Sequence, residues 1–542
     1  MRTTGIVLLV GCLALGACAA SHALAAALAT DISDLATPAT QRAALERMLQ
    51  QADPAWRSVL QALKEGALYR WQDILLVFTA DGTFVDLQGQ PLLDSAGQPL
   101  IPEQGLEQVP LAEANLPLLQ RGLDAIDLFA PEAATRQATV RRLSNLNDVS
   151  LLPVLDKARQ EERDAGVLAV LTEAVYKLQL LAPEPQMRRQ AVEHFGTTRA
   201  ESALSRLREM APQEPDAQVR AAVVAAIGTI ERYLWWRNTV GYVFNGISLA
   251  SVLLIMSLGL AVTFGLMGII NMAHGEMLML GSYTAYVVQE IFAASLPGAL
   301  DAFFLVALPL SFILVGAVGM AIERGILRWL YGRPLESLLV TWGLGMVLQQ
   351  GARLYFGDQT SVSPPTWLRG GWEILPGLIF PYSRLCIIAL SGLALVAVYL
   401  LLYRSDTGLK IRSVMQHRDM AACMGIAARK VDTLTFALGT ALAGVAGCAL
   451  SLIGTVDPEV GKTYIVDAFM VVVLGGVGKL FGTVLASLGV GVSNKLLEPA
   501  IGGTAAAVYA KVGILILVIL FLQLKPTGLF PAKERTAAGM VR

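Results

Sequence analysis

Charge is scarce in this chain. Asp, Glu, Lys and Arg make up only 16% of its 542 residues, and the mean hydropathy is +0.55. That balance excludes an ordinary soluble enzyme and points to a membrane protein. Cysteine is scarce too. Of five, Cys12 and Cys18 lie near the start, while Cys386, Cys423 and Cys448 lie in or beside apolar runs. Their spacing excludes a disulfide framework and a metal site, so the last three read as small apolar packers. With only four histidines there is no His-Glu-x-x-His, and neither paired catalytic carboxylates at a readable spacing nor a serine nucleophile elbow is present. "VGKT" at 460–463 imitates the end of a phosphate loop, but Val456 stands where the motif needs glycine. The chain is therefore read as no enzyme, with no ATP site, metal or cofactor of its own, and nothing in it calls for nucleic acid.

What charge there is divides the chain. Residues 1–237 carry 22 Lys/Arg against 28 Asp/Glu, and 238–542 carry 20 against 15. The start has one cation, an apolar run from Ile6 to Ala17 and small residues after it, the layout of a secretory signal over 1–25. Cleavage after Ala25 is the first reading; a lipoprotein signal ending at Cys18 and an uncleaved anchor are the alternatives. Residues 31–237 then form an exported helical domain, with apolar positions three and four apart. Within it, alternating apolar residues around Asp81-Gly82 and Ala96-Gly97 predict a small hairpin. "TRQATV", "RDAGVLAV", "RRQAVEHF" and "VRAAVVAA" repeat irregularly and resemble HEAT-like helical repeats. His194 has no second ligand candidate near it and reads as surface or core decoration.

Apolar segments near 240–266, 277–296, 302–322, 336–356, 385–403, 431–453, 466–477, 482–497 and 506–524 predict a mainly α, polytopic membrane bundle over 238–530. Eight or nine spans are expected, nine being preferred, with a cytoplasmic tail at 531–542. The loops carrying Arg324, Arg328 and Arg333, and Arg404, Lys410, Arg412 and Arg418, belong in the cytoplasm by the positive-inside tendency. That agrees with a periplasmic N-terminal domain.

Polar groups inside this half are expensive and need a reason. Asn271, His274 and Glu276 lie in "GLMGIINMAHGEMLMLGSY", where Gly268 and Gly275 read as a helix break. Capping and packing would account for them, and so would a solute pathway. Gln349, Gln350 and Arg353 raise the same question, Arg353 reading as a snorkelling helix-end residue. Gly439, Ala443, Gly444 and Gly447 predict a close helix interface. Gly475, Gly476, Gly478 and Gly482 predict a turn around Lys479. In "DTGLKIRSVMQHRDMAACMGIAARK", Ala421, Ala422 and Gly425 would let a partner's surface approach closely, with Arg412, Arg418, Arg429 and Lys430 supplying steering charge.

These stretches, together with "FALGTALAGVAG" and "DAFMVVVLGGVGKLFGTVLASLGVG", resemble the permeases of branched-chain amino acid type ABC importers over about residues 240–530. The long N-terminal domain and "GGVGKLFGT" look most like the urea-transporting branch. The resemblance implies ATPase coupling by Arg412, Gln416, Arg418, Ala421, Ala422 and Gly425. It also implies a second homologous permease, two cytoplasmic ATP-binding subunits and a periplasmic urea-binding protein, all at an inner membrane. Asn271, His274, Glu276, Thr341, Gln349 and Gln350 are then the pathway candidates for urea. Import of branched-chain amino acids, a passive urea channel and a membrane-tethered scaffold are the rival readings.

Overall fold

The computed structural model describes residues 34–530 apart from 36, 38–39, 72–73, 80, 88–89, 93–104, 268–270, 332 and 527. The expected signal segment with Cys12 and Cys18, the turn expected at Ala96-Gly97, Gly268 and residues 531–542 lie outside the described residues. The chain divides into two compact units, Met1–Leu234 and Trp235–Arg542.

In the first unit, helices α1 (Gln41–Gln51) and α2 (Arg57–Glu65) precede an antiparallel sheet in the order β3-β2-β1-β4. Its strands are β1 (Leu68–Trp71), β2 (Ile74–Phe78), β3 (Phe84–Val85) and β4 (Leu106–Gln108). The hairpin expected from Asp81-Gly82 is thus part of a larger sheet, with Gly82 at φ +77° in the turn. Helices α3 (Leu116–Asp127), α4 (Ala133–Asn145), α5 (Leu152–Glu161), α6 (Ala165–Gln179), α7 (Pro185–Thr198) and α8 (Leu204–Met210) follow.

Two clasps in this unit repeat atom for atom. Arg136 donates from Nε and Nη2 to Glu162 at 2.7 and 3.0 Å, and from Nη1 to the carbonyls of Ala130 and Pro131. Arg188 does the same to Glu214 at 3.0 and 2.6 Å and to the carbonyls of Ala182 and Pro183. Each pair spans 26 residues, and the second lies 52 residues beyond the first, 136 to 188 and 162 to 214. An Asp caps the next helix in both: Asp164 accepts from Val167 N–H, and Asp216 from Val219 N–H. The repeat unit is therefore about twice the spacing expected from the short apolar motifs, which recur on both helices of a unit. His194 stacks on Tyr176 with ring centroids 3.8 Å apart, and burial lowers its pKa.

The division between units falls within α9 (Ala217–Met267). The second unit continues with α10 (His274–Ser295), α11 (Phe303–Gly325), α12 (Pro334–Phe356), α13 (Tyr382–Arg404), α14 (Asp406–Gln416), α15 (Arg418–Cys423), α16 (Ala428–Leu450), α17 (Val460–Gly475), α18 (Leu480–Ile501) and α19 (Ala506–Leu524). Between α12 and α13, strands β5 (Gly371–Leu375) and β6 (Leu378–Pro381) make a hairpin around Pro376-Gly377, with Gly377 at φ +78°. That Pro-Gly pair between apolar residues is a turn signal the sequence analysis passed over. Phe380 stacks on Phe244 of α9 at 3.8 Å.

Among the described residues, six helices are long and apolar enough to cross a membrane: α9, α11, α13, α16, α18 and α19. This is fewer than the eight or nine expected. The remaining three segments are helical as α10, α12 and α17, but α17 has 16 residues, and α10 and α12 carry buried His274, Glu276, Thr341 and Gln349. Polar groups turned into the protein lower a segment's hydropathy without exposing it to lipid.

Helix α16 is the hub, and its small residues explain why. Gly439 meets Gly259 of α9, Gly444 meets Ser311 and Val315 of α11, and Gly447 lies against Leu278 and Ser282 of α10. Ser282 Oγ donates to the Gly447 carbonyl at 2.8 Å. The interface expected from Gly439, Ala443, Gly444 and Gly447 is thus formed on three sides of one helix. The turn expected around Lys479 forms as well: α17 ends at Gly475, α18 begins at Leu480, and Gly476 and Gly478 take φ +93° and +74°.

Candidate functional site

Two clusters emerge in the second unit, one at the start of α10 and one around α15. In the first, Asn271 Oδ1 accepts from Ala273 N–H at 3.1 Å, while Thr341 Oγ1 of α12 accepts from Met272 N–H at 3.2 Å. The Asn271 side chain thus shapes the turn, and Thr341 pins it from the neighbouring helix. His274 is fully buried, and its Nε2 lies 3.2 Å from the Met256 carbonyl of α9.

Glu276 occupies the first turn of α10, where a carboxylate faces the positive end of the helix dipole. It fits a slot made by two glycines. A Cβ on Gly345 of α12 would meet Glu276 Cγ at 3.3 Å, and one on Gly461 of α17 would meet Glu276 Oε2 and the Gly275 carbonyl at 2.5 Å. Gly461 is the glycine of the false phosphate loop, and its use is room for this carboxylate. Gly275 does not break the helix; it lies inside α10 and lets α17 approach. Oε2 of Glu276 and Nδ1 of His274 are buried without a hydrogen-bond partner among the described residues. Thr341, Gly345 and Gln349 stand four residues apart on one buried face of α12. Gln350 is exposed on another face, so it does not join the group. Arg353, at the helix end, pairs with Asp358 and Glu459 at 3.0 Å each.

The second cluster is the connection from α13 to α16. Ser405 caps α14, accepting from Gly408 N–H at 3.0 Å, and His417 Nδ1 caps α15, accepting from Met420 N–H at 3.3 Å. After α15, Gly425 takes φ +85°, which reverses the chain toward α16. Ala421 is buried, whereas Gln416, Ala422 and Gly425 are exposed. Arg412 is half-buried with its guanidinium 5.1 Å from the Tyr403 ring. Two residues that the sequence analysis did not single out stand beside Ala422: Met420 at 59% exposure and Met424 at 80%. Their signal was present, as apolar residues four apart in a charged segment.

Arg418 is placed differently from expectation. Its guanidinium is ion-paired with Asp432, which is fully buried at the start of α16, and lies 5.2 Å from the Tyr331 ring. Tyr331 donates to Glu323 Oε1 at 2.6 Å, and Thr433 donates to Glu323 Oε2 at 2.6 Å. Arg418 thus ties α15 to α16, and Glu323 ties α16 to the end of α11. Asp432, an acid at the head of an apolar run just after Arg429-Lys430, was the sequence signal for this anchor.

A family model described as the permease component of the branched-chain amino acid transport system matches residues 242–522. The chain is 31% identical over 296 residues to the high-affinity branched-chain amino acid transport system permease protein BraD of Pseudomonas aeruginosa, covering 54% of this chain and 95% of that protein. It is 30% identical over 299 residues to LivH of Escherichia coli, with the same coverage, and 26% identical over 286 residues to the probable LivH of Methanocaldococcus jannaschii, covering 52% and 89%. No solved structure matches. Nearly half of this chain lies outside each of these matches. The chain therefore belongs to the permease family of branched-chain amino acid transport systems, as a multi-pass membrane permease and not an enzyme.

Proposed function

We propose that the chain is the membrane permease of an ATP-driven importer of branched-chain amino acids, energised by separate ATPase subunits and fed by a solute-binding protein outside the membrane. The observation that carries this reading is the match over 242–522 to permeases named for branched-chain amino acid transport. The exposed Met420, Ala422, Met424 and Gly425 form the surface an ATPase subunit would grip. A shift of α15 would pass through Arg418–Asp432 to α16, and the glycine contacts of α16 would carry it to α9, α10 and α11. The start of α10, with Asn271, His274 and Glu276, is the natural place for such a shift to open or close a passage, since broken helices with polar linings build transport sites.

An amino acid zwitterion suits this place. The unpartnered oxygen of Glu276 would face the ammonium group, and the side-chain NH2 groups of Asn271 and Gln349 would donate to the carboxylate, while Thr341, whose proton goes to the Ser337 carbonyl, holds the turn. Urea is a second reading, favoured by the N-terminal region that the relatives' alignments leave uncovered. Its neutral amides would need those same hydrogen-bonding groups and no charged clamp. In either case the N-terminal unit lies in the periplasm, and a second permease completes the passage.

Uptake of radiolabelled leucine and urea by cells lacking this chain tests the reading. Leucine uptake is expected to fall to background and to return with the intact chain but not with Ala422→Trp. Loss of urea uptake alone would install the second reading, uptake that survives ATP depletion would indicate a channel, and normal uptake of both solutes would end the transport reading.

A further inference from the structure

Beside the Arg418–Asp432 anchor, the end of α11 and the start of α16 line an open cavity of about 820 Å3. Four cations line it: Arg324, Arg328, Arg429 and Lys430. None of their side chains forms an ion pair or hydrogen bond among the described residues, although Arg328 lies 4.8 Å from the ring of Trp329. The acid that lines the cavity, Glu323, accepts from the Tyr331 and Thr433 hydroxyls and keeps its single negative charge, against four unpaired cations. The fifth cation, Arg418, is neutralised by Asp432. Positive charge in excess of the two carboxylates Glu323 and Asp432 is therefore concentrated in one open cleft, where the four exposed cations favour an anion.

A second, apolar cavity of about 540 Å3 continues from it, sharing Met320, Arg324 and Leu434. This groove runs up α11 to Ile313 and Phe312 and is closed by Ala437 and Ala441 of α16. From Arg324 to Phe312 a helix rises about 18 Å, which takes the groove into the hydrocarbon layer, beyond the reach of any cytosolic subunit. Trp329, 69% exposed at the mouth, has the amphipathic ring that settles at a membrane–water interface.

We propose that this composite cavity binds one anionic phospholipid, its phosphate headgroup held by Arg324, Arg328, Arg429 and Lys430 and one acyl chain laid in the groove between α11 and α16. Basic pockets between membrane helices at the cytoplasmic face are suited to such headgroups. The apolar groove distinguishes a lipid from free phosphate or from an acidic protein surface, neither of which would fill it. The site lies against the anchor of α15, so the bound lipid packs where α15, α16 and α11 meet.

The test is native mass spectrometry of the full chain with its partner subunits in mild detergent, titrated with phosphatidylglycerol and, separately, phosphatidylcholine. Phosphatidylglycerol is expected to bind about tenfold more tightly or better, and R324Q/R328Q/R429Q/K430Q is expected to lose that preference. The charge-retaining variant R324K/R328K/R429K should keep it, which separates loss of charge from loss of fold. Inorganic phosphate in excess should not displace the lipid. Equal binding of the two lipids, retention of the preference by the quadruple Gln variant, or displacement by phosphate alone would overturn the proposal. So would a Gln variant that holds the lipid normally but sheds its ATPase subunits, because the cations would then belong to the protein interface. The readout is lipid binding, so it stands or falls independently of which solute is carried.

Discussion

At the scale of single residues, space and charge inside the membrane half leave little tolerance. Gly461 has no room for a methyl group, since Glu276 Oε2 and the Gly275 carbonyl both lie 2.5 Å from where its Cβ would be. Gly461→Ala is therefore expected to cost about 1–3 kcal/mol, as overpacked cores do, seen as a lower melting temperature in detergent. Adding Glu276→Ala relieves the side-chain half of that clash and leaves the backbone half, so the double variant should recover only in part. Arg418→Ala strands a buried carboxylate. Its expected cost is about 3–5 kcal/mol, and Asp432→Asn on top of it should restore much of the melting temperature, because the unpaired charge is then gone. If Asp432→Asn restores nothing, the ion pair is not what holds α15.

Among elements, the α14–α15 connection and the two clasps of the N-terminal unit make separate predictions. Ala422→Trp puts a large ring on the exposed face of α15 and alters no internal contact of a buried side chain. The chain should fold and melt normally, while ATP hydrolysis by its purified complex loses its response to loaded solute-binding protein. In the clasps, Arg136 and Arg188 hold the Glu162 and Glu214 carboxyls below their ordinary pKa of 4.5 by donating hydrogen bonds. A depressed carboxyl stabilises the fold fully above its unfolded value, and that contribution fades as pH falls through the lower folded value. Protection factors against hydrogen exchange over 133–216 in the full chain should therefore fall below about pH 4.5, and Arg136→Ala should lower them at neutral pH by about 1–3 kcal/mol, the cost of leaving the partly buried Glu162 carboxylate without its donor. The repeat was half legible: "RRQAVEHF" and "TRQATV" mark α7 and α4, but the partners Glu162 and Glu214 come 26 residues later, beyond any local periodicity.

For the whole molecule, the membrane half and the N-terminal unit are separable in the comparisons, since relatives covered to 95% of their length match only 54% of this chain. A chain carrying its own first 25 residues joined to 235–542 is expected to retain leucine uptake; complete loss would show that the N-terminal unit is part of the transport machinery. Trp235 and Trp236, exposed side by side near the end of the polar half, are where an aromatic belt would sit at the membrane surface in that shortened chain.

The sequence by itself determined that this is a helical membrane protein, and that Gly439, Gly444 and Gly447 form a close interface, because hydropathy, helical spacing and small-residue patterns are local properties of a chain in lipid; that it is a permease came from the resemblance of its motifs to a known family. It also marked Asn271, Glu276, Thr341 and Gln349 as polar groups needing a reason. Only the tertiary structure decided that those four share one buried neighbourhood while Gln350 faces outward, that Arg418 is an anchor and not a steering charge, and that Gly461 makes room for Glu276. Each depends on residues distant in the chain meeting across helices. Such a meeting is set by rotation and crossing of the helices, which the order of residues along any one of them does not record.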